Sequence, residues 1–109
     1  MATALSNLSD FNPNEVPSGQ NYKVAIVVSE WNSQITEGLF LGAKEALIAC
    51  GMQEENILRS NVPGSFELVF GAKKALTKAV DAVIVIGSVI QGETKHFDFV
   101  CQGVTQGIV

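Results

Sequence analysis

The sequence predicts an α/β fold, a three-layer αβα sandwich with a central parallel sheet. Three observations predict it. Apolar, largely β-branched runs begin near Val24, Ile57 and Ala82. Each ends in a polar or glycine-bearing turn, and each turn leads into apolar residues spaced three or four apart. Strand–helix units in series give a parallel sheet, because right-handed crossovers return every strand in the same direction.

The first 21 residues are polar and contain Asn12-Pro13-Asn14 and Pro17-Ser18-Gly19, so they read as an arm or extended lead-in. Pro13 and Pro17 exclude a central strand there. From Tyr22 the pattern becomes Val24-Ala25-Ile26-Val27-Val28, a strand, followed by a loop with Trp31 and Asn32. Asn32 or Ser33 can cap the next helix, which Ile35, Leu39, Ala43, Ala46 and Cys50 mark at helical spacing and Gly51 closes. A second strand is expected over about Ile57 to Val62, broken by Pro63-Gly64. Ser65 then caps a helix carrying Phe66, Val69, Ala72, Ala75 or Leu76, and Ala79. The third unit is Ala82 to Ile86, continuously apolar as in a strand covered on both faces, a glycine-rich turn, and a helix from Thr94. Phe97, Val100 or Cys101, Val104 and Ile108 mark that last helix. The periodic run stops at Gly107-Ile108-Val109 without a capping sequence, so the domain over 22–109 is expected to be incomplete at its C-terminus.

With 109 residues, 47% of them hydrophobic, the chain can fill one core and no more. Seven Lys and Arg against eleven Asp and Glu give a net charge of −4, and no basic stripe interrupts that balance, which argues against nucleic acid as a partner. Cys50 and Cys101 lack metal-ligand or redox spacing and read as reduced packing residues. No basic leader precedes an apolar run, and no run approaches the length of a membrane span; the expectation is a cytoplasmic protein with no membrane partner.

Chemistry is expected where the three turns meet, at the carboxyl edge of the sheet. His96, the sole histidine, follows the last strand and turn and is the general acid/base candidate; a surface histidine is the alternative. Gly87 and Gly92 allow close backbone approach, and the N–H groups opening the following helix can hold an anion. Trp31, the sole tryptophan, offers a flat face for a heteroaromatic ring or serves as a packing anchor. Ser65 can bond a ring heteroatom, cap its helix, or both. Glu67 can accept two ligand hydroxyls or simply favour a helix start. Phe66 is explained by packing alone. Lys95 reads first as a solvated charge. Asp98, two residues past His96, is badly placed to form a triad with it. Ser88 lacks the spacing of a nucleophile elbow, and the glycines match neither a P-loop nor a dinucleotide fingerprint.

Three separated segments, Val27-Val28-Ser29-Glu30-Trp31-Asn32, Val62-Pro63-Gly64-Ser65-Phe66-Glu67 and Gly87-Ser88-Val89-Ile90-Gln91-Gly92-Glu93-Thr94-Lys95-His96-Phe97-Asp98-Phe99-Val100, together resemble the signatures of the lumazine synthase family in order and spacing. The resemblance runs from Tyr22 onward and corresponds to roughly the first two thirds of a full subunit. It implies a flavodoxin-like sheet, with a further strand and helix pair following in the family. It also implies condensation of 5-amino-6-ribitylamino-2,4(1H,3H)-pyrimidinedione with 3,4-dihydroxy-2-butanone 4-phosphate, giving 6,7-dimethyl-8-ribityllumazine, phosphate and water, without a redox cofactor or metal.

Carried onto this chain, the resemblance sets the pyrimidinedione ring against Trp31, with Ser65, Val89 and Ile90 shaping its site. The ribityl chain meets Asn32, Phe66 and Glu67, the phosphate lies at Gly92, Glu93 and Thr94, and His96 assists proton transfer. Family members form pentamers, some of which build sixty-subunit icosahedral shells, so the polar arm is read as a strand added to a neighbour or as a leader. The chain departs from the family at Trp31, where many members have phenylalanine, a larger face that would raise affinity for product or riboflavin. It departs again at Glu93, where a smaller residue is common and an inward carboxylate would repel phosphate. The aromatic cover from a neighbouring subunit and the phosphate-clamping arginine belong to the family's later segment. A binding or structural fragment without turnover is therefore the main alternative, and a generic oxidoreductase a distant one.

Overall fold

The computed structural model describes residues 10–109. Three strands, β1 (Val24–Ser29), β2 (Ile57–Val62) and β3 (Ala82–Ile86), alternate with three helices, α1 (Ser33–Ala49), α2 (Leu68–Ala75) and α3 (His96–Ile108). The sheet is fully parallel with the order β2-β1-β3. That is the 2-1-3 start of the flavodoxin-like order, in which the chain builds to one side of β1, then crosses to the other. The register sets Val24 beside both Ile57 and Ala82, and Val28 beside both Asn61 and Ile86. Where the strands begin, the Asp81 N–H donates to the Lys23 carbonyl and the Lys23 N–H to the Asp81 carboxylate, each at 2.8 Å, which aligns β1 with β3.

Every residue of β1 is buried. Its alternation divides the core in two. Val24, Ile26 and Val28 pack with Phe40 of α1, Met52 and Ile86 on one face. Ala25 and Val27 pack with Val62, Leu68 and Ala75 on the other. Helix α1 covers the first face and α2 the second, and α3 packs mainly against α2. The result is the expected three-layer αβα arrangement.

Several local expectations need correction. The sheet-facing stripe of α1 is Thr36, Phe40, Ala43 and Leu47, whereas Ile35 and Leu39 are 49% and 51% exposed. This helix carries apolar residues around most of its circumference, so periodicity alone selects the wrong stripe. In the second unit a 3-10 turn over Ser65–Glu67 precedes α2 and changes its phase; Leu68, Gly71 and Ala75 are buried, and Leu76 is exposed. Ala79 lies in a left-handed conformation beyond a second 3-10 turn, Leu76–Lys78. Strand β3 is buried only at Ile86, and among the described strands it has a neighbour, β1, on one side alone. Helix α3 begins at His96, two residues later than expected.

The expected caps are also absent: neither Asn32 nor Ser65 caps a helix through its side chain. Both side chains are used between loops. Gly51, with φ of 97°, makes the left-handed turn after α1. The Gly19 N–H donates to the Cys50 carbonyl at 2.7 Å, so the lead-in docks on the end of α1. The first nine residues of the arm lie outside the described residues.

Candidate active site at the carboxyl edge of the sheet

Two hydrogen bonds carry the β1–β2 pairing past the strand ends: the Glu30 N–H donates to the Val62 carbonyl at 2.8 Å, and the Trp31 N–H to the Pro63 carbonyl at 3.0 Å. They fix the backbone of Trp31 beside the second turn. Asn32 then takes a left-handed conformation, φ 60° and ψ 54°, which asparagine tolerates better than most residues. Its carbonyl accepts from the Ile35 and Thr36 N–H groups and so starts α1. Its side-chain Nδ2 donates to Ser88 Oγ at 3.3 Å, across to the loop after β3.

The second and third loops are joined at the same residue. Ser65 Oγ donates to the Ser88 carbonyl at 3.2 Å. This approach depends on Gly87, where a Cβ would come within 2.6 Å of Ser65 Oγ and 2.8 Å of Leu68 Cδ1. Phe66, 62% exposed, lays its ring over Gly103 of α3, where a Cβ would meet Phe66 Cε2 at 2.8 Å. Packing thus accounts for the position of this ring.

The loops enclose an open cleft of about 340 Å³, lined by Trp31, Gly64, Ser65, Phe66, Glu67, Ser88, Val89, Ile90, His96 and Val100. It lies above β1 and β3, where the connections leave toward opposite faces of the sheet, the position at which α/β folds of this order hold ligands. Seven of the eleven candidate residues therefore share one cleft: Trp31, Ser65, Phe66, Glu67, Val89, Ile90 and His96. Trp31 is 50% exposed, a ring face open to a ligand. Asn32 is connected to the cleft through Ser88 but does not line it. Gly92, Glu93 and Thr94 also lie outside its lining, on the exposed approach to α3. A Cβ at Gly92 would meet nothing within 4 Å, so crowding does not require this glycine. Thr94 Oγ1 accepts from the His96 N–H at 3.4 Å. Gly64, Ser88 and Val100 are additions that sequence reasoning missed. Gly64 and Ser88 stand inside recognised segments, and Val100 follows His96 by one helical turn.

Among the described residues, Glu67 is the one acidic side chain on the cleft wall, and neither Lys nor Arg lines it. The charge pairs with shifted ionisation lie elsewhere. Arg59 donates to both carboxylate oxygens of Glu37 and holds that carboxyl below its ordinary range. Lys44 Nζ donates to Glu54 Oε1 at 2.7 Å and lowers that carboxyl likewise. Among the described residues no group of three or more His, Cys, Asp or Glu could hold a metal ion, and no helix is long and apolar enough to cross a membrane.

A family profile described as 6,7-dimethyl-8-ribityllumazine synthase matches residues 21–109. The chain is 64% identical to a protein of that name from Flavobacterium johnsoniae, over 99% of this chain and 57% of the relative. It is 58% identical to one from Christiangramia forsetii, over 99% of this chain and 66% of the relative. A third, from Flavobacterium psychrophilum, is 59% identical over 99% of this chain and 58% of its own length. The chain thus spans about three fifths of the length of these relatives.

Proposed function

Because the chain belongs to the 6,7-dimethyl-8-ribityllumazine synthase family, we propose that it is a transferase of riboflavin biosynthesis that condenses 5-amino-6-ribitylamino-2,4(1H,3H)-pyrimidinedione with 3,4-dihydroxy-2-butanone 4-phosphate. The observation that carries this reading is the meeting of Trp31, Ser65, Glu67 and His96 in one cleft at the end of the sheet. An aromatic face, a hydroxyl, a carboxylate and an imidazole suit a planar heterocycle with a polyol tail and a reaction that moves protons.

The pyrimidinedione stacks on Trp31, with Val89 and Ile90 shaping its site. Ser65 has committed its proton to the Ser88 carbonyl, so toward the ring it offers lone pairs and accepts from a ring N–H. Glu67 accepts from ribityl hydroxyls. The phosphate of the second substrate rests on the Gly92-Glu93-Thr94 turn and the N-terminus of α3; Thr94, whose oxygen accepts from the His96 N–H, keeps its own proton for a phosphate oxygen. The substrate amine is the nucleophile. Holding it against the ketone supplies most of the rate, and His96 exchanges protons as imine formation, phosphate loss and ring closure proceed. We infer also a cytoplasmic homo-oligomer, of which the pentamer is the family's form. Phe70 and Phe99, both largely exposed on neighbouring helices, support a subunit contact there.

A second reading, a ring-binding module without turnover, is favoured by a described cleft lining that offers an aromatic face, apolar side chains and a carboxylate, with neither Lys nor Arg among those residues. One experiment separates the two. The chain is mixed with both substrates while lumazine absorbance and released phosphate are followed, and a ring analogue is titrated against Trp31 fluorescence. Product with stoichiometric phosphate supports the synthase. Quenching without product supports the binding module, and absence of both results overturns the assignment of the cleft.

A further inference from the structure

Ser88 touches both other loops through different atoms. Its carbonyl accepts from Ser65 Oγ at 3.2 Å, and its Oγ accepts from Asn32 Nδ2 at 3.3 Å. The first contact uses the backbone and would survive any side chain at this position. The second exists only because residue 88 carries a hydroxyl. Asn32 gains from a partner of this kind: it is left-handed, its side chain makes no helix cap, and the backbone bonds that precede it, from Glu30 to Val62 and from Trp31 to Pro63, tie this loop to the second turn and not to the loop after β3.

We propose that Ser88 is a positioning residue for ring binding, its hydroxyl tying Asn32, and with it the Trp31 loop, to the loop after β3. The proposal rests on the reading of the cleft as a pyrimidinedione site. It adds a residue that acts through another, because the ligand face belongs to Trp31 while Ser88 fixes where that face stands. The tie also crosses between β1 and β3, the point at which the backbone connections diverge to opposite faces of the sheet. No strand pairing reaches that far along β3, whose last pair with β1 is Val28 with Ile86. The Asn32–Ser88 bond therefore closes this edge where the sheet does not.

The test compares Ser88→Ala, Ser88→Thr, Asn32→Ala and the Ser88→Ala/Asn32→Ala double variant. Two quantities are read: affinity for a pyrimidinedione analogue, and acrylamide quenching of Trp31 in the ligand-free protein. Loss of one net hydrogen bond should weaken the analogue about fivefold in Ser88→Ala, and Ser88→Thr, which keeps the hydroxyl, should recover to within about twofold. In the Asn32→Ala background, Ser88→Ala should cost nothing further. Trp31 should become more accessible to acrylamide in both single variants and no more so in the double than in Asn32→Ala; the melting temperature should be unchanged in Ser88→Ala, and lowered in Asn32→Ala and the double by the cost of alanine in the left-handed region. The proposal is overturned if Ser88→Ala binds as the parent does, if its loss persists without Asn32, or if Ser88→Thr fails to recover. Should the parent itself bind no analogue, the cleft assignment fails, and the quenching series alone decides the tie: no change in Trp31 accessibility on removal of either partner rejects it.

Discussion

Trp31 and His96 are each the sole residue of their kind, and each follows a strand, so both stand out along the chain. Ser88 has no such mark. Its importance depends on which backbone and side-chain atoms two distant loops present to it, a relation that no spacing along the chain encodes. The Ser65 hydroxyl is legible as a polar group but not in its direction, since capping and bonding to Ser88 would satisfy it equally well. Trp31→Ala should weaken a ring analogue by about tenfold while changing phosphate affinity little, because stacking is lost and the approach to α3 is untouched. Separate titrations of the two ligands check this; equal losses would mean that the indole is an anchor. His96→Ala should lower turnover about tenfold or more with analogue affinity kept within about twofold, since alignment survives when proton transfer does not. Unaltered turnover at both saturating and limiting substrate would return His96 to the surface of α3 as a bystander.

At the scale of elements, all three strands and all three helices are legible, because runs of β-branched residues and glycine turns punctuate this chain clearly. The rotational phase of α1 and α2 is not. A helix with Ile35, Leu39, Leu41 and Ile48 exposed offers more than one apolar stripe, and the choice falls to the fit of Phe40 against the sheet. In α2 the buried stripe runs through Gly71, a residue that hydrophobic periodicity ignores. A Cβ there would lie 2.7 Å from Val27 Cγ1 and 2.9 Å from Val62 Cγ1, both on buried, stiff side chains. Gly71→Ala should therefore lower stability by about 1–3 kcal/mol, outweighing the helix preference for alanine of about 1 kcal/mol. Gly42 of α1 meets nothing within 4 Å, and Gly42→Ala should raise stability by up to about 1 kcal/mol. Urea unfolding of the pair measures both signs in one fold; a stabilised Gly71→Ala would show that α2 can lift off the sheet at little cost.

At the scale of the whole molecule, the pair between Glu37 of α1 and Arg59 of β2 joins a helix to an edge strand, with Arg59 also 4.3 Å above the Phe40 ring. Hydrogen bonding to Arg59 lowers the Glu37 pKa from 4.5 on folding. The stability it contributes is thus complete above 4.5 and is lost as pH falls through the lower folded value. Glu37→Gln should melt below the parent at neutral pH, and the gap should close as pH falls below about 4.5 or as salt is added, because the pair is exposed and screened. A gap independent of pH would assign the effect to packing. The sheet order has a consequence of another kind. Strand β1 pairs only with strands made after it, Val24 with Ile57 and then with Ala82, and no hairpin offers it an earlier partner among the described residues. On the ribosome, the most buried of the three described strands waits unpaired while α1 is synthesised, and it finds its first described neighbour only when β2 emerges. Closing loops of that length makes parallel pairing slow. The segment that holds the finished domain together is, during synthesis, the one most in need of shielding from other chains.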